Sequence, residues 1–289
     1  MNTNSVFGDR PWMQLPWWVV RTLLVAALLI GYTLFTLGPL LWVVVLSFRN
    51  NTAIYQNPFA LPSVLQWSNY LEVFHQTNLP MYFVNSMIVV IIALIGIVIF
   101  ASMAAYAFAR FSFRFSNTIF WAFMATLMVP HQVVLVPLFK TLGPLGLLNT
   151  RQGLIAVYIA FSLPISLYIL RAFFQQIPGE LAEAAKIDGA DDWKTFWRVM
   201  FPVARPAVAT VGVFNFILLW NEFLFALVFI RDDMLRTLPL GQMHFMGEYA
   251  EDIAGMAAAV TLATLPVILL YVVLAEQFQR GMAAGAVKG

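Results

Sequence analysis

Six long apolar runs dominate the sequence, and Glu222 is the only formal charge inside them. A helix needs roughly 20 residues to cross about 30 Å of hydrocarbon. Helices are expected because an open sheet leaves backbone groups unsatisfied in lipid. The runs therefore predict an all-α integral membrane protein with six transmembrane helices, at 22–48, 81–109, 117–139, 153–170, 207–230 and 253–275.

The composition excludes several classes of protein. Of the residues, 61% are hydrophobic and 10% are charged, whereas soluble chains run near 45–50% and about 25%. A soluble enzyme, a disordered chain and a DNA-binding module are excluded. The net charge of +2 indicates no nucleic-acid partner. No cysteine is present, the three histidines share no metal-ligand spacing, and no catalytic constellation occurs, so neither a metal site nor a catalytic residue is predicted.

The basic residues predict how the chain is oriented. With six helices both termini lie on one side, and that side holds Lys and Arg in an excess of roughly two to one, which predicts cytoplasmic termini. The expected organisation is an N-terminal segment with the first helix and an outer loop (1–80), a transmembrane core (81–275) and a cytoplasmic tail (276–289). We expect the first run to be a retained helix, since it is too long for a signal-peptide core.

The long inner loop 171–206 predicts two short helices. Pro178 and Gly179 open the first, whose first turn carries Glu180 and Glu183, and Gly189 ends it. The second helix carries an apolar stripe beginning at Trp193. The pattern alone leaves two alternatives open: the loop docks in a groove of another protein, or it lies on the membrane surface.

The same loop resembles a known motif, the EAA loop of ABC importer permeases. The resemblance rests on Glu183, Ala184, Ala185, Asp188, Gly189, Ala190, Phe196 and Pro202. Further matches cover nearly the whole chain: Asn85-Ser86, Tyr106-Ala-Phe-Ala-Arg110 with Phe113, Trp220-Asn221, and the C-terminal Gly285-Ala-Val-Lys-Gly289. They are similar to the carbohydrate-uptake subgroup, and most of all to the second permease subunit of maltose-type importers. Glu276 departs from the pattern, since the family usually has a basic residue there.

The resemblance implies a fold, partners and a mechanism. The fold would be that of a type I ABC importer, in the inner membrane of a prokaryote. Its EAA loop would form a coupling helix that docks on a cytoplasmic ATPase, with Glu183 pairing with a basic group and Ala184, Ala185 and Gly189 permitting close approach. The implied partners are a homologous second permease, two ATPase subunits, an extracytoplasmic solute-binding protein, a sugar substrate and membrane lipid. This chain would hold no cofactor and would not be an enzyme. It has no phosphate-binding loop motif, so ATP and Mg would be bound by the partner ATPase.

Three groups of polar residues are candidates for the translocation path. The first comprises Asn215, Trp220, Asn221 and Glu222 in the fifth run, where a buried carboxylate normally faces a cavity or a partner. The alternative is hydrogen bonding between helices that fixes the fold. The second group is His131 and Gln132, between Pro130 and Pro137, where a bent helix is the alternative. The third is Asn85 and Ser86, where packing is equally compatible.

A sugar or oligosaccharide, moved by alternating access, is the expected cargo. A polyol or glycerol phosphate is the alternative within the family, but a phosphate favours Arg or Lys in the cavity, and the six runs contain neither. The alternative from another class is an ion-driven secondary transporter, which would give the long inner loop no role.

Overall fold

The computed structural model describes residues 16–247 and 252–286, and within these ranges the regular structure is entirely helical. The C-terminal motif ends outside the described residues. The helices are α1 (Trp17–Ser47), α2 (Asn51–Gln56), α3 (Ser68–Gln76), α4 (Leu79–Arg110), α5 (Ser116–Thr126), α6 (His131–Leu142), α7 (Arg151–Phe174), α8 (Glu180–Ile187), α9 (Asp192–Thr195), α10 (Phe201–Val203), α11 (Arg205–Trp220), α12 (Leu224–Phe229), α13 (Leu238–Gly247) and α14 (Ile253–Ala286).

Four helices are long and apolar enough to cross a membrane individually: α1, α4, α7 and the part of α14 from Ile253 to Val273. Two further spans are bent pairs. Helices α5 and α6 meet at 102°, and the segment Asp192–Val203 meets α11 at 74°. Counting each bent pair as one span gives up to six, the number that the sequence predicts, but the second pair joins the inner loop to α11 and does not coincide with the predicted span 207–230.

The third predicted span differs from the prediction because 117–139 is not one continuous helix. Helix α5 ends at Thr126 and α6 begins at His131. Pro130 lies in the break, where it lacks an N–H and restricts the backbone of Val129. Pro137, in contrast, lies inside α6. The bend expected from the two prolines therefore occurs at the first of them.

The fifth predicted span is interrupted at Glu222, as the sequence indicates. Helix α11 stops at Trp220 and α12 resumes at Leu224. At 1.5 Å per residue the 16 residues of α11 cover about 24 Å, so α12 supplies the remaining length. The break leaves backbone N–H groups at the start of α12 that require an acceptor within the protein.

Helices α4 and α7 run parallel and form the centre of the fold. Small residues on α4 allow the close approach, since Ala93, Ala101 and Ala105 are fully buried. Helix α14 packs against α1, α3 and α11 around this pair. The bundle has two ends, which we call the EAA face and the loop face. The EAA face contains Arg110, Phe174 and α8, and the loop face contains Leu79, Arg151 and the 3₁₀ turn Asp233–Leu235.

Candidate coupling loop and translocation path

The first coupling-loop helix, α8, ends in a Schellman motif. The N–H of Ala190 donates to the carbonyl of Ala185 at 2.9 Å, and the N–H of Gly189 donates to that of Lys186 at 3.0 Å. Gly189 has φ +81°, the left-handed region that glycine adopts without strain. The predicted helix stop at Gly189 is therefore confirmed, and its backbone conformation turns the chain toward α9.

The second coupling-loop helix begins at a side-chain cap and continues through Pro202 to Val203. The carboxylate of Asp191 accepts the N–H of Lys194 at 2.7 Å. Asp192 accepts from the ammonium of Lys186 at 2.9 Å, and this hydrogen bond raises the pKa of Lys186. Residues 196–200 then form a π-helical turn. Pro202 follows and has no N–H to donate to the carbonyl four residues earlier, which favours the wider turn.

An aromatic socket on the EAA face holds the coupling loop. Phe196 is 3% exposed, and its ring centroid lies 5.2 Å from that of Tyr106 and 6.4 Å from that of Phe174. The guanidinium of Arg110 donates to the carbonyl of Ile177, just before α8 begins. These contacts fasten the loop to the ends of α4 and α7.

The outward side of α8 combines acidic and apolar groups. Glu183 and Ala184 are exposed, Leu181 is 40% exposed and Ile187 is 87% exposed. Ala185 faces inward and is 8% exposed, so close approach from outside is available at Ala184 rather than at Ala185. Leu181 and Ile187 therefore leave apolar side chains exposed on the same short helix as the acidic Glu183. The role of this helix in coupling stays a prediction.

Asn85 and Ser86 fasten a loop-face segment to α4. The amide of Asn85 donates to the carbonyls of Met234 and Arg236, both at 2.9 Å, and its oxygen accepts from Arg151 at 2.7 Å. The hydroxyl of Ser86 accepts the N–H of Leu238 at 2.7 Å. Both residues are 1% exposed. Their polar atoms are thus used within the chain, which favours the packing alternative, and a place on the translocation path stays a prediction.

Replacing Asn85 with leucine is expected to release this segment. The change leaves the carbonyls of Met234 and Arg236 and the guanidinium of Arg151 without their partner, at a cost of about 2–3 kcal/mol. Hydrogen exchange should show faster exchange in residues 233–238 and unchanged exchange in α8. The control variant is Ser86→Thr, because threonine retains the hydroxyl. Unchanged protection in the Asn85 variant would contradict the fastening role.

Asn215 and Trp220 bind neighbouring helices. Asn215 is fully buried and its amide donates to the hydroxyl of Ser166 on α7 at 2.9 Å, whereas its Oδ1 has no partner among the described residues. The indole N–H of Trp220 donates to the carbonyl of Ala263 on α14 at 3.0 Å, and the ring stacks on Phe216. In this conformation both residues hold helices together, in line with the alternative of interhelical bonding.

Glu222 satisfies the backbone at the break between α11 and α12. Its carboxylate accepts the N–H groups of Phe225 and Ala226 at 2.7 and 3.2 Å and the hydroxyl of Tyr158 at 2.7 Å. The charge therefore lies at the N-terminus of α12, where the helix dipole favours it. This use of the carboxylate explains how a charge is tolerated at membrane depth. Direct contact with substrate stays a prediction.

Three candidates face away from the core. His131, Gln132 and Asn221 are exposed. The His131 ring lies at the start of α6, 5.0 Å from the ring of Phe161 and 5.5 Å from that of Phe225. The bend before α6 and the break before α12 therefore meet at one aromatic cluster. Of the predicted path residues, these three are exposed in this conformation, and their place on the path stays a prediction.

Sequence analysis missed the partners that complete these groups. Arg151 and Tyr158 lie on α7 and bind Asn85 and Glu222. Asn149, with φ +56°, accepts the N–H groups of Arg231 and Asp232 through its side chain. No periodic pattern marks these residues, because each partner lies more than 60 positions away in the sequence. The one local signal available was Arg151, a basic residue at the first position of a transmembrane helix.

Comparison with known proteins decides the family. A family model described as "Binding-protein-dependent transport system inner membrane component" matches residues 97–284. The chain belongs to this family. The expected fold, an all-α integral membrane fold of the type I ABC importer kind, is confirmed, and so is the resemblance to carbohydrate-uptake permeases. Because the family consists of ABC transporter permeases, the ion-driven alternative is set aside.

Related permeases match along most of their length. The diacetylchitobiose uptake system permease of Streptomyces coelicolor is 40% identical over 91% of this chain and 86% of its own. The trehalose/maltose transport system permease of Thermococcus litoralis is 35% identical, over 92% and 96%. A crystal structure of a bacterial ABC transporter involved in the import of the acidic polysaccharide alginate aligns with TM-score 0.81 at 24% identity, over 90% of this chain and 96% of that chain, which shows the shared fold.

Family membership settles the general role of the chain. The permease is a transport subunit and not an enzyme, and ATP hydrolysis belongs to a partner chain. It is an inner membrane component that works with an ATPase and a solute-binding protein.

Proposed function

We propose that the permease moves a sugar or oligosaccharide across the cytoplasmic membrane by alternating access. The observation that carries this proposal is its similarity, over about nine-tenths of the chain, to permeases described as taking up diacetylchitobiose and trehalose or maltose. The absence of Lys and Arg from the predicted spans accords with an uncharged cargo, since a phosphate would favour them.

Coupling to ATP is proposed to run through α8. The exposed surface of Glu183, Ala184 and Ile187 would dock in a groove of a cytoplasmic ATPase that binds ATP and Mg. Closure of two ATPase subunits would push α8 and, through Arg110 and the aromatic socket, move the ends of α4 and α7. The loop face would then open as the EAA face closes, and close as the EAA face opens.

The proposed assembly contains a homologous second permease, two ATPase subunits and an extracytoplasmic solute-binding protein. The positive-inside pattern supports placing both termini and the EAA face in the cytoplasm. The loop face, where the segment 231–238 is fastened to α4, would then receive the binding protein and its cargo.

Affinity purification of the tagged permease in mild detergent tests this proposal. We expect a second permease and an ATPase subunit to co-purify, with ATP hydrolysis stimulated by the cognate binding protein. The binding of a panel of sugars and of glycerol phosphate to that protein would then be measured by calorimetry. The solutes that bind would identify the cargo class. Preferential binding of a phosphorylated solute, or a permease that purifies alone in every detergent, would contradict the proposal.

A further inference from the structure

The five residues that join α4 to α5 alternate between aromatic and polar side chains. They read Phe111-Ser-Phe-Arg-Phe115, and we call them the aromatic–basic connector. The rings of Phe111, Phe113 and Phe115 are 39%, 41% and 61% exposed, and Arg114 is exposed between the last two. The connector therefore presents aromatic rings and a guanidinium group together at the EAA face.

The length of α4 places the connector at the surface of the bilayer. Helix α4 has 32 residues and is about 48 Å long at 1.5 Å per residue. At an ordinary tilt of about 20° it spans about 45 Å, the thickness of a bilayer with its head-group regions. Its end at Arg110, and the connector that follows, therefore lie at head-group level in this inner membrane component. Trp121 in the second turn of α5 is 67% exposed, and tryptophan is enriched at this interface.

Phe115 has a backbone conformation that is unfavourable for its side chain. Its φ is +66°, in the left-handed region, where a bulky residue is an outlier and glycine or asparagine is favoured. The ring is more than half exposed, and the guanidinium of Arg114 lies 4.9 Å from its centroid. Packing inside the chain therefore does not account for a phenylalanine here, whereas an apolar environment outside the chain does.

Two arginines at this surface lack an anionic partner. Neither the side chain of Arg114 nor that of Arg171 forms a hydrogen bond or a salt bridge within the part of the chain that the structure describes. The guanidinium of Arg171 lies 3.9 Å from the centroid of the Phe120 ring. The sequence supplies no carboxylate between Glu72 and Glu180. A phosphate group is the anion that a guanidinium binds best.

The two arginines belong to one surface, because a row of rings connects them. The ring of Phe113 lies 5.5 Å from that of Phe108, which in turn lies 5.9 Å from that of Phe120. Arg114 follows Phe113 in the chain, and Arg171 covers Phe120. Each arginine is thus adjacent to one end of the same aromatic row.

We infer that the aromatic–basic connector and Arg171 form a binding site for an anionic phospholipid in the leaflet at the EAA face. The guanidinium groups bind the lipid phosphate, and the exposed rings lie among the head groups and the first methylene groups. The rings distinguish this occupant from free phosphate, which offers them no apolar surface. The site is independent of the transported solute. It holds the end of α4 at the membrane surface, next to Arg110, which binds the start of the coupling loop.

A photoreactive amino acid at position 112, an exposed serine within the connector, tests this inference. The assembled transporter is placed in proteoliposomes of equal parts phosphatidylethanolamine and phosphatidylglycerol, and lipid adducts are identified by mass spectrometry. Phosphatidylglycerol adducts are expected to predominate. Arg114→Gln should lower the ratio of phosphatidylglycerol to phosphatidylethanolamine adducts about fivefold, which is equivalent to the contribution of about 1 kcal/mol that a basic residue makes near an anionic surface.

The matched control is Arg231→Gln. Arg231 is also exposed, and its guanidinium lies 5.5 Å from the centroid of the Phe139 ring, but it lies at the loop face. The variant loses the same charge and should leave the adduct ratio at position 112 unchanged.

Three results would overturn the site. An adduct ratio that Arg114→Gln leaves unchanged would show that the connector merely lies in bulk lipid. An equal fall in both variants would show a general effect of net charge. Adducts with the ATPase or the second permease in place of lipid would show a protein interface. Co-purification of the ATPase with each variant shows that the complex is intact, so these results leave the proposed function untouched.

Discussion

Replacing Gly189 with valine is expected to abolish solute uptake while the permease still inserts and assembles. Gly189 has φ +81°, and a residue with a Cβ costs about 1–2 kcal/mol there, more when β-branched. Valine therefore breaks the Schellman motif and changes the direction in which the chain leaves α8. Uptake of the cognate sugar and ATP hydrolysis stimulated by the binding protein would be measured in proteoliposomes.

A control variant at Gly189 distinguishes the effect of backbone conformation from the effect of a larger side chain. Among the described residues, no neighbouring atom lies within 4 Å of the point that a Cβ would occupy here, so size alone carries no penalty within the chain. Asparagine tolerates the left-handed region, and Gly189→Asn should retain most of the uptake. If the valine variant transported normally, the turn after α8 would have no part in coupling. If both variants failed equally, contact with the ATPase, and not conformation, would be the cause.

Charge reversal at Glu183 gives a second test of the same surface. Glu183 is exposed, and its side chain accepts no hydrogen bond from the part of the chain that the structure describes. Glu183→Arg should therefore lower stability by no more than about 1 kcal/mol, the cost of placing a positive charge in the first turn of α8. Stimulated ATP hydrolysis is nevertheless expected to fall sharply, because a basic group on the ATPase would meet a like charge, a juxtaposition that costs several kcal/mol. Normal stimulation in this variant would exclude Glu183 from the docking contact.

Replacing Glu222 with leucine is expected to have the largest effect on stability. The change removes the acceptor for the N–H groups of Phe225 and Ala226 and for the hydroxyl of Tyr158. Leaving these donors unpaired at membrane depth costs about 3 kcal/mol or more. We expect a melting temperature in detergent lower by about 5 °C or more, together with a loss of uptake that follows the loss of folded protein.

Two further variants distinguish a structural role of Glu222 from contact with substrate. Tyr158→Phe removes one donor and leaves both backbone bonds, so it should cost about 1 kcal/mol and leave the apparent affinity for sugar unchanged. Asn221→Ala is the matched control, because Asn221 is an exposed neighbour of Glu222 and its replacement should have little effect on stability. A Glu222→Gln variant with full stability but altered affinity for sugar would contradict the structural assignment and place the carboxylate on the translocation path.

Local patterns in the sequence predict the helices and the coupling loop well. The six apolar runs predict the spans because the requirement to cross the bilayer acts on each segment separately. Gly189 and Asp191 predict the boundaries of the short helices for the same reason, since caps act within one turn. The break near Glu222 is also visible, as a charge inside an apolar run.

The partners of the buried polar groups are decided by the tertiary structure alone. The sequence shows that Asn85, Asn215, Trp220 and Glu222 are unusual in their runs, and leaves open whether they face a cavity or another helix. The fold brings α7 and α14 against them, so that each forms a hydrogen bond with a group on one of these helices: Arg151, Ser166, Ala263 and Tyr158. A hydrogen bond between distant segments depends on how helices pack, and packing leaves no periodic signal in either segment.

The sequence by itself therefore determines that this protein is an all-helical membrane permease with two short helices in its long inner loop, because hydrophobic length, turn chemistry and motif spacing are local properties. Only the tertiary structure decides which side of α8 is exposed, where the third span bends and which polar residues hold helices together. These features arise from the approach of surfaces far apart in the chain, and each residue's environment is set by neighbours that its own segment does not specify.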